Sequence, residues 1–269
     1  MGLPAASEDA SSWAWRDGGW TRSVRTVAEE SAVALTYNRI SHAVMMATPS
    51  DLEDFATGFS LSEGIVGEWR EIEELELVPV EGGAVECRMW IAAASMAALE
   101  TRRRRIAGVT GCGMCGLESL SEAMRPVPAV PEGRTFTADQ IIDAVGSIVP
   151  AQTLGRATRA VHAAGFWTPE AGLVVLREDV GRHNALDKLG GAMARKGLRA
   201  EAGIVVMTSR LSVELVQKAA RMSAPLVAGV SAPTALALRN AREAGMTLVG
   251  VARADGFEVL THPRRIDGL

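Results

Sequence analysis

Cysteine is scarce: Cys87, Cys112 and Cys115 are the three in 269 residues. An odd count in a chain of this length argues against a disulfide scaffold and for a reducing cytoplasm, which leaves the thiols reactive or metal-bound. Positive charge is not in excess, since 28 Lys and Arg face 32 Asp and Glu for a formal net charge of -4. No global basic field therefore draws the chain to nucleic acid or to an anionic membrane, and an anionic ligand needs a local site. Long apolar runs are missing too. A stretch such as Gly203 to Met207 is far too short to span a bilayer, so no membrane segment is expected. The N-terminus lacks the basic start and apolar core of a secretory signal, and Ala6 stands where a myristoylation motif calls for Ser or Thr. No internal repeat or low-complexity tract stands out.

What is present is a globular composition, 48% hydrophobic and 22% charged, which excludes wholesale disorder and at this length suits two domains. Residues 1–22, polar with Trp13, Trp15 and Trp20, read as a flexible N-terminal arm. Residues 23–109 read as a smaller N-terminal α+β domain. In it SAVALTYN and SHAVMMATP form a hairpin around Asn38 and Arg39, and Ser50 and Glu53 have capping-box spacing ahead of a helix. Residues 72–80 and 84–92 alternate as strands, and SMAALETRRRR reads as a helix. Pro126, Pro128 and Pro131 keep the next stretch irregular, so residues 110–136 are a C-x-x-C loop and linker, and the domain boundary falls there.

Residues 137–269 open on a second capping box, Thr137 with Gln140, and then alternate strand and helix. That alternation predicts an α/β domain with a mostly parallel sheet, helices on both faces, and ligands at the loops beyond the carboxyl ends of the strands. Polar clusters stand at those places: REDVGRHN (177–184), TSRLSVE (208–214) and ARADG (252–256).

Two thiols at C-x-x-C spacing lie in TGCGMCG, residues 110–116. This is half of a structural zinc site whose other half is missing. Cys87 stands alone on a strand, and His42, His162, His183 and His262 show no ligand spacing. A dithiol redox pair belongs at a helix N-terminus, where the dipole lowers a thiol pKa; the glycines at 111, 113 and 116 instead suit a loop that swings between partners. The run Arg102 to Arg105 favours a thiolate or persulfide anion nearby, or is a solvated helix end. A zinc-stabilised nucleotide-binding or interaction module, a dithiol redox protein and a sulfur carrier are thus three readings of one loop.

Downstream, Glu178, Asp179, Arg182, His183, Asn184, Asp187 and Lys188 crowd a strand-to-helix junction suited to a charged ligand, with capping and a solvated ion-pair face as the plain alternative. Ser209, Arg210 and Ser212 precede a helix carrying Glu214 and Lys218 as an i,i+4 pair, and hydroxyls with an arginine there suit a phosphate. Ser231 and Thr234 read as N-caps. His162 is as readily a core histidine as a catalyst.

In order along roughly residues 24–266, TPSDLEDFATGFSLSEGIV, TGCGMCG, VHAAG, REDVGRHNALDKLGG, SRLSVELVQKAA, SAPTALALRNAREAGMTLVG and THPRRI resemble the FdhD family, sulfur carriers needed for active formate dehydrogenases. The resemblance implies a sulfurtransferase. A cysteine desulfurase would hand sulfane sulfur to Cys112 as a persulfide, with Cys115 as the second thiol. The sulfur would pass to molybdenum in bis-molybdopterin guanine dinucleotide before that cofactor enters apo-formate dehydrogenase. The resemblance also implies that Val251, Ala252, Arg253, Ala254, Asp255 and Gly256 bind this cofactor, held as cargo with no permanent cofactor or metal. It implies a cytidine deaminase-like three-layer C-terminal domain and a homodimer. The clusters add Arg182, His183, Ser209 and Arg210 to the cofactor site, because helix starts and arginines can cradle a guanylated pyrophosphate. The deaminase zinc site is absent: Ala164 stands where H-x-E from His162 needs Glu, and Gly111 precedes Cys112 where Pro is needed. Ser209 departs from the family pattern S-G-R-x-S, which puts close backbone approach to the ligand there in question.

Overall fold

A computed structural model of the chain describes residues 2–108 and 126–269; Cys112, Cys115 and the expected C-x-x-C loop lie outside them. The arm expected to be flexible is instead a ribbon of β1 (Ser7–Arg16) and β2 (Gly19–Ala28), paired antiparallel around Asp17 and Gly18. Both turn residues have positive φ, 51° and 79°, which a two-residue hairpin turn needs and Asp-Gly supplies. That dipeptide, beside alternating Trp13, Ala14 and Trp15, is a local signal that the polar composition masks.

β3 (Ser31–Tyr37) and β4 (Ile40–Ala47) form the expected hairpin around Asn38 and Arg39. After them come α1 (Leu52–Ser62), β5 (Ile72–Val80), β6 (Ala84–Ile91) and α2 (Ala93–Gly108). The sheet order is β4-β3-β6-β5. Period-two burial puts Val33, Leu35 and Tyr37 of β3 with Val85, Cys87 and Met89 of β6 on one face, closed by Leu52, Phe55 and Phe59 of α1. The helix does not use the capping box expected from Ser50 and Glu53. It begins after Asp51, which is left-handed and gives no side-chain cap, and Glu53 pairs with Arg195 instead.

The second half opens on α3 (Ala138–Ala151), where the Thr137–Gln140 capping box is made: Gln140 N–H donates to Thr137 Oγ1 (3.2 Å) and Thr137 N–H to Gln140 Oε1 (3.0 Å). α4 (Thr153–Thr158), β7 (His162–Thr168), β8 (Gly172–Asp179), α5 (Arg182–Arg195) and β9 (Ile204–Met207) follow. Then come α6 (Val213–Arg221), β10 (Leu226–Gly229), α7 (Ala235–Ala244), β11 (Thr247–Arg253) and β12 (Gly256–Thr261). The order β12-β11-β10-β9-β7-β8 is a mixed sheet, not the mostly parallel one that alternation predicts, since only β9–β10 and β10–β11 pair parallel. Connection length is the reason. Three residues join β7 to β8 and two join β11 to β12, enough for hairpins but not for crossovers.

Ile204 and Val206 pack toward Ile141, Ala144 and Ile148 of α3, whereas Val205 and Met207 pack among residues of α5, α6 and α7, so helices cover both faces. α1 packs in turn on α5. A Cβ added to Gly58 would lie 1.7 Å from Asp187 O, and one on Gly191 would lie 1.9 Å from Asp54 O. These two glycines let the helices meet backbone to backbone. Arg265, 1% exposed, donates to Pro131 O (3.0 Å) and Gly245 O (2.8 Å), tying the proline-rich linker to the C-terminal half.

Candidate functional site

Strand direction decides which polar loops meet. β8, β9, β10 and β11 run the same way, so residues 180–181, 208–212, 230–234 and 254–255 leave from one edge of the sheet. His162 joins that edge because β7 runs oppositely and sets it beside Asp179. From β11 to β8 the edge crosses four strand spacings, about 19 Å in all.

Most of the charged cluster at the β8 end holds the fold together. The Glu178 carboxylate accepts from the N–H groups of Thr153 (3.0 Å), Leu154 (2.9 Å) and Gly155 (2.7 Å), capping α4. Asp179 pairs at 2.7 Å with Lys188, both fully buried, and accepts from Thr48 N–H (3.0 Å), Gly181 N–H (2.8 Å) and Asn184 Nδ2 (3.0 Å). Burial pulls the Lys188 pKa below the ordinary lysine value, against the attraction of Asp179. Lys188 also donates to Thr48 O (2.8 Å) and Asn184 to Met46 O (2.8 Å), so this group latches α5 to the end of β4. Asp187 is held by Lys218 (2.9 Å) and Ser62 Oγ (2.6 Å). Burial disfavours charge on Lys218, yet Asp187 and Glu63 prevail and its pKa lies above the ordinary value. Five of the seven residues expected to face a ligand are therefore engaged in these buried clusters, His183 pairs with Glu214 beside the cleft, and Arg182 remains.

Arg182 Nε is buried and has no acceptor among the described residues. His183 Nε2 lies 3.0 Å from Glu214 Oε2 and 3.5 Å from Ser212 Oγ, which donates to Glu214 (3.1 Å). The expected Glu214–Lys218 pair is thus replaced by partners on α5 and α1. Burial, and then the charge of Arg182, pull the pKa values of His162 and His183 below the usual histidine value, so both are neutral at about pH 7.

Ser209 is buried, its Oγ donating to Arg210 O (3.1 Å), and Arg210 is exposed. Thr234 caps α7 by accepting from Ala237 N–H (3.2 Å), as expected. At the other end of the edge, Val251 has φ 53°, an outlier for a β-branched residue, within a bulge between Gly250 and Arg253. Its N–H reaches Ser231 O (3.4 Å) in the neighbouring loop. Ala252 packs in the core, and Arg253, Ala254 and Asp255 are the exposed members of the segment 251–256.

Beside His183 opens a cleft of about 340 Å³ whose lining includes Met45, Phe59, Pro126, Glu214 and Lys218, within the usual range for small-molecule sites. Sequence pattern missed it because its walls come from β4, α1, α5 and α6 together; the Ser62 and Met45 contributions carry no local signal. Among the described residues no group of three or more His, Cys, Asp or Glu could hold a metal. Cys87 is fully buried, and burial pushes its thiol up to about 12, which makes it unreactive.

Comparison with known proteins adds a consistent set of relatives. Residues 28–267 match the model of the FdhD/NarQ family. A sulfur carrier protein FdhD from Agrobacterium fabrum is 49% identical over 94% of this chain and 93% of its own length. A protein of the same name from Brucella abortus is 50% identical over 97% of each. Among solved structures, one from Desulfotalea psychrophila described as a formate dehydrogenase accessory protein superposes with a TM-score of 0.75 at 26% identity, covering 97% of this chain and 99% of that one.

Proposed function

The chain belongs to the FdhD/NarQ family, and from that premise we propose that it is a sulfur carrier that serves a formate dehydrogenase. In this reading the Cys112 thiolate attacks the outer sulfur of a persulfide on a cysteine desulfurase. The donor S–S bond breaks, a Cys112 persulfide forms, and the donor cysteine leaves as thiolate. Cys115 is the second thiol of the pair. The Cys115 thiolate then attacks Cys112 Sγ, the persulfide S–S bond breaks, a Cys112–Cys115 disulfide forms, and the outer sulfur leaves as sulfide to molybdenum in bis-molybdopterin guanine dinucleotide, held as cargo until it is delivered to the apo-enzyme. A cytoplasmic location, a homodimer and a deaminase-like relationship of the α/β half belong to the same reading.

The observation that carries the cargo half of it is the Arg182 Nε, buried and without an acceptor among the described residues, at one end of an edge whose other end is Arg253. A ligand with separated pyrophosphates supplies acceptors at both ends, and the loops bearing Ser209 and Arg210 lie between them. The sulfur half is tested by mass spectrometry after incubation with a cysteine desulfurase and cysteine: a gain of about 32 Da on Cys112 is expected. No thiol-dependent adduct would sink it, and stoichiometric zinc lost on replacing Cys112 or Cys115 would favour a metal-stabilised module instead.

A further inference from the structure

Three of the six tryptophans in the chain, Trp13, Trp15 and Trp20, stand in the β1–β2 ribbon. The pairs Ser11 with Val24, Trp13 with Arg22 and Trp15 with Trp20 put all three on one face, together with Val24 and Arg22. The tryptophans are 62%, 58% and 65% exposed and Val24 is 66% exposed. Trp15 and Trp20 lie 5.2 Å apart between ring centroids, and the Arg22 guanidinium sits 5.2 Å from the Trp13 ring. The opposite face is the one that turns toward the rest of the fold. On it Ala10, Ser12 and Ala14 are half-buried, and Arg25 donates to Thr158 O on α4 (3.1 Å).

A two-stranded hairpin is marginal in water without a further strand or a surface to lie on, and β1 and β2 form a sheet of their own. Area and charge decide what that surface is. At about 150–250 Å² per buried tryptophan, the parts of the three rings still exposed come to about 300–500 Å², short of the roughly 800 Å² per partner of a stable protein interface. Single-stranded nucleic acid stacks on aromatic rings but also needs a track of cations along its backbone. Residues 13–24 carry only Arg16 and Arg22 against Asp17, and of these Arg22 alone is on the tryptophan face. A phospholipid surface sets neither requirement. Indole rings settle at the boundary of headgroup and acyl chain, and an arginine beside them lays its stem on apolar surface while its guanidinium reaches a lipid phosphate. We propose that the tryptophan face of the ribbon docks on a phospholipid bilayer, with Trp13, Trp15, Trp20 and Val24 at that boundary and Arg22 on a phosphate. No helix among the described residues is long and apolar enough to cross a membrane, and the contact is interfacial. The inference is independent of the sulfur chemistry.

Flotation of the full chain with vesicles of phosphatidylcholine, alone and mixed with phosphatidylglycerol, is expected to show reversible binding to both. Its strength should be near that of a single myristoyl chain or below, about 10⁴ M⁻¹ in lipid. Replacing Trp15 and Trp20 together, as Trp15→Ser with Trp20→Ser, should lower it at least about tenfold, with circular dichroism and thermal melts reporting that the fold survives. Thr21→Gln on the opposite face should leave it unchanged. The unaltered chain gives a second readout: on vesicles its tryptophan fluorescence should shift to the blue and be quenched by lipids brominated in the acyl chain. Absence of flotation with either vesicle, binding that survives the double substitution, or bound protein whose fluorescence brominated lipid does not quench would each overturn the proposal. So would an oligothymidylate bound through Trp15 in place of vesicles, which would assign the face to single-stranded nucleic acid.

Discussion

Among the described residues, Arg182 is the side chain that keeps a buried polar atom unsatisfied. An anion reaching Arg182 would supply the acceptor that its Nε lacks among the described residues. A charge-assisted hydrogen bond contributes about 1.5–3 kcal/mol, so Arg182→Gln should weaken GDP or pyrophosphate binding by about 10- to 100-fold with little change in melting temperature. Calorimetric titration of both proteins checks this. His162 and His183 add a pH signature. Their folded pKa values are below the unfolded ones, so protonation favours the unfolded chain. Their contribution to stability is complete above about pH 6.5 and declines as pH falls through that value. Melting temperature should therefore drop between about pH 7 and about pH 5, and His162→Gln with His183→Gln should flatten the slope over that window relative to the unaltered chain. An anion bound beside these rings would raise both pKa values, so its binding would take up protons and tighten as pH falls. Lys188 is a different case. Lys188→Met strands Asp179 as an unpaired buried charge, at a cost of about 3–5 kcal/mol, visible as a large loss in a denaturant melt.

At the scale of elements, the crossing of α1 and α5 sets the tolerance to substitution. Gly58→Ala or Gly191→Ala drives a methyl group into a backbone carbonyl of the other helix, and destabilisation of about 1–3 kcal/mol or more is expected by thermal denaturation. Gly146 in α3 is the contrast: nothing lies within 4 Å of an added Cβ, so Gly146→Ala should stabilise by about 0.5–1 kcal/mol. Local signals were readable where one element suffices to express them. The Thr137–Gln140 capping box, the Asn38–Arg39 hairpin and the alternation of β6 are examples. The box proposed at Ser50 and Glu53 failed because Glu53 has a better partner in Arg195, 142 residues away. The ribbon was hidden for the opposite reason: its Asp17–Gly18 signal is local, but the flanking composition is that of a disordered tail.

For the whole molecule, buried ion pairs join what the sequence divides at a proline-rich linker. Lys218 on α6 reaches Ser62 and Asp187, and Lys188 on α5 reaches Thr48, so two buried clusters fasten the N-terminal sheet with α1 to the C-terminal α/β half. Scanning calorimetry should show a single transition with equal calorimetric and van't Hoff enthalpies. Two separated transitions would mean that the latches are weaker than their burial indicates.

Periodicity, turn dipeptides and the order of strands and helices depend on neighbours a few residues apart, and these the sequence determined by itself, together with the motifs that place the chain in its family. Strand order, the engagement of Glu178, Asp179, Asp187 and Lys188 within the fold, and the Arg182 Nε left without an acceptor among the described residues were decided by the tertiary structure alone. A charged side chain is available to a ligand only if no partner brought in from a distant part of the chain has already satisfied it, and that partner is invisible in a local window.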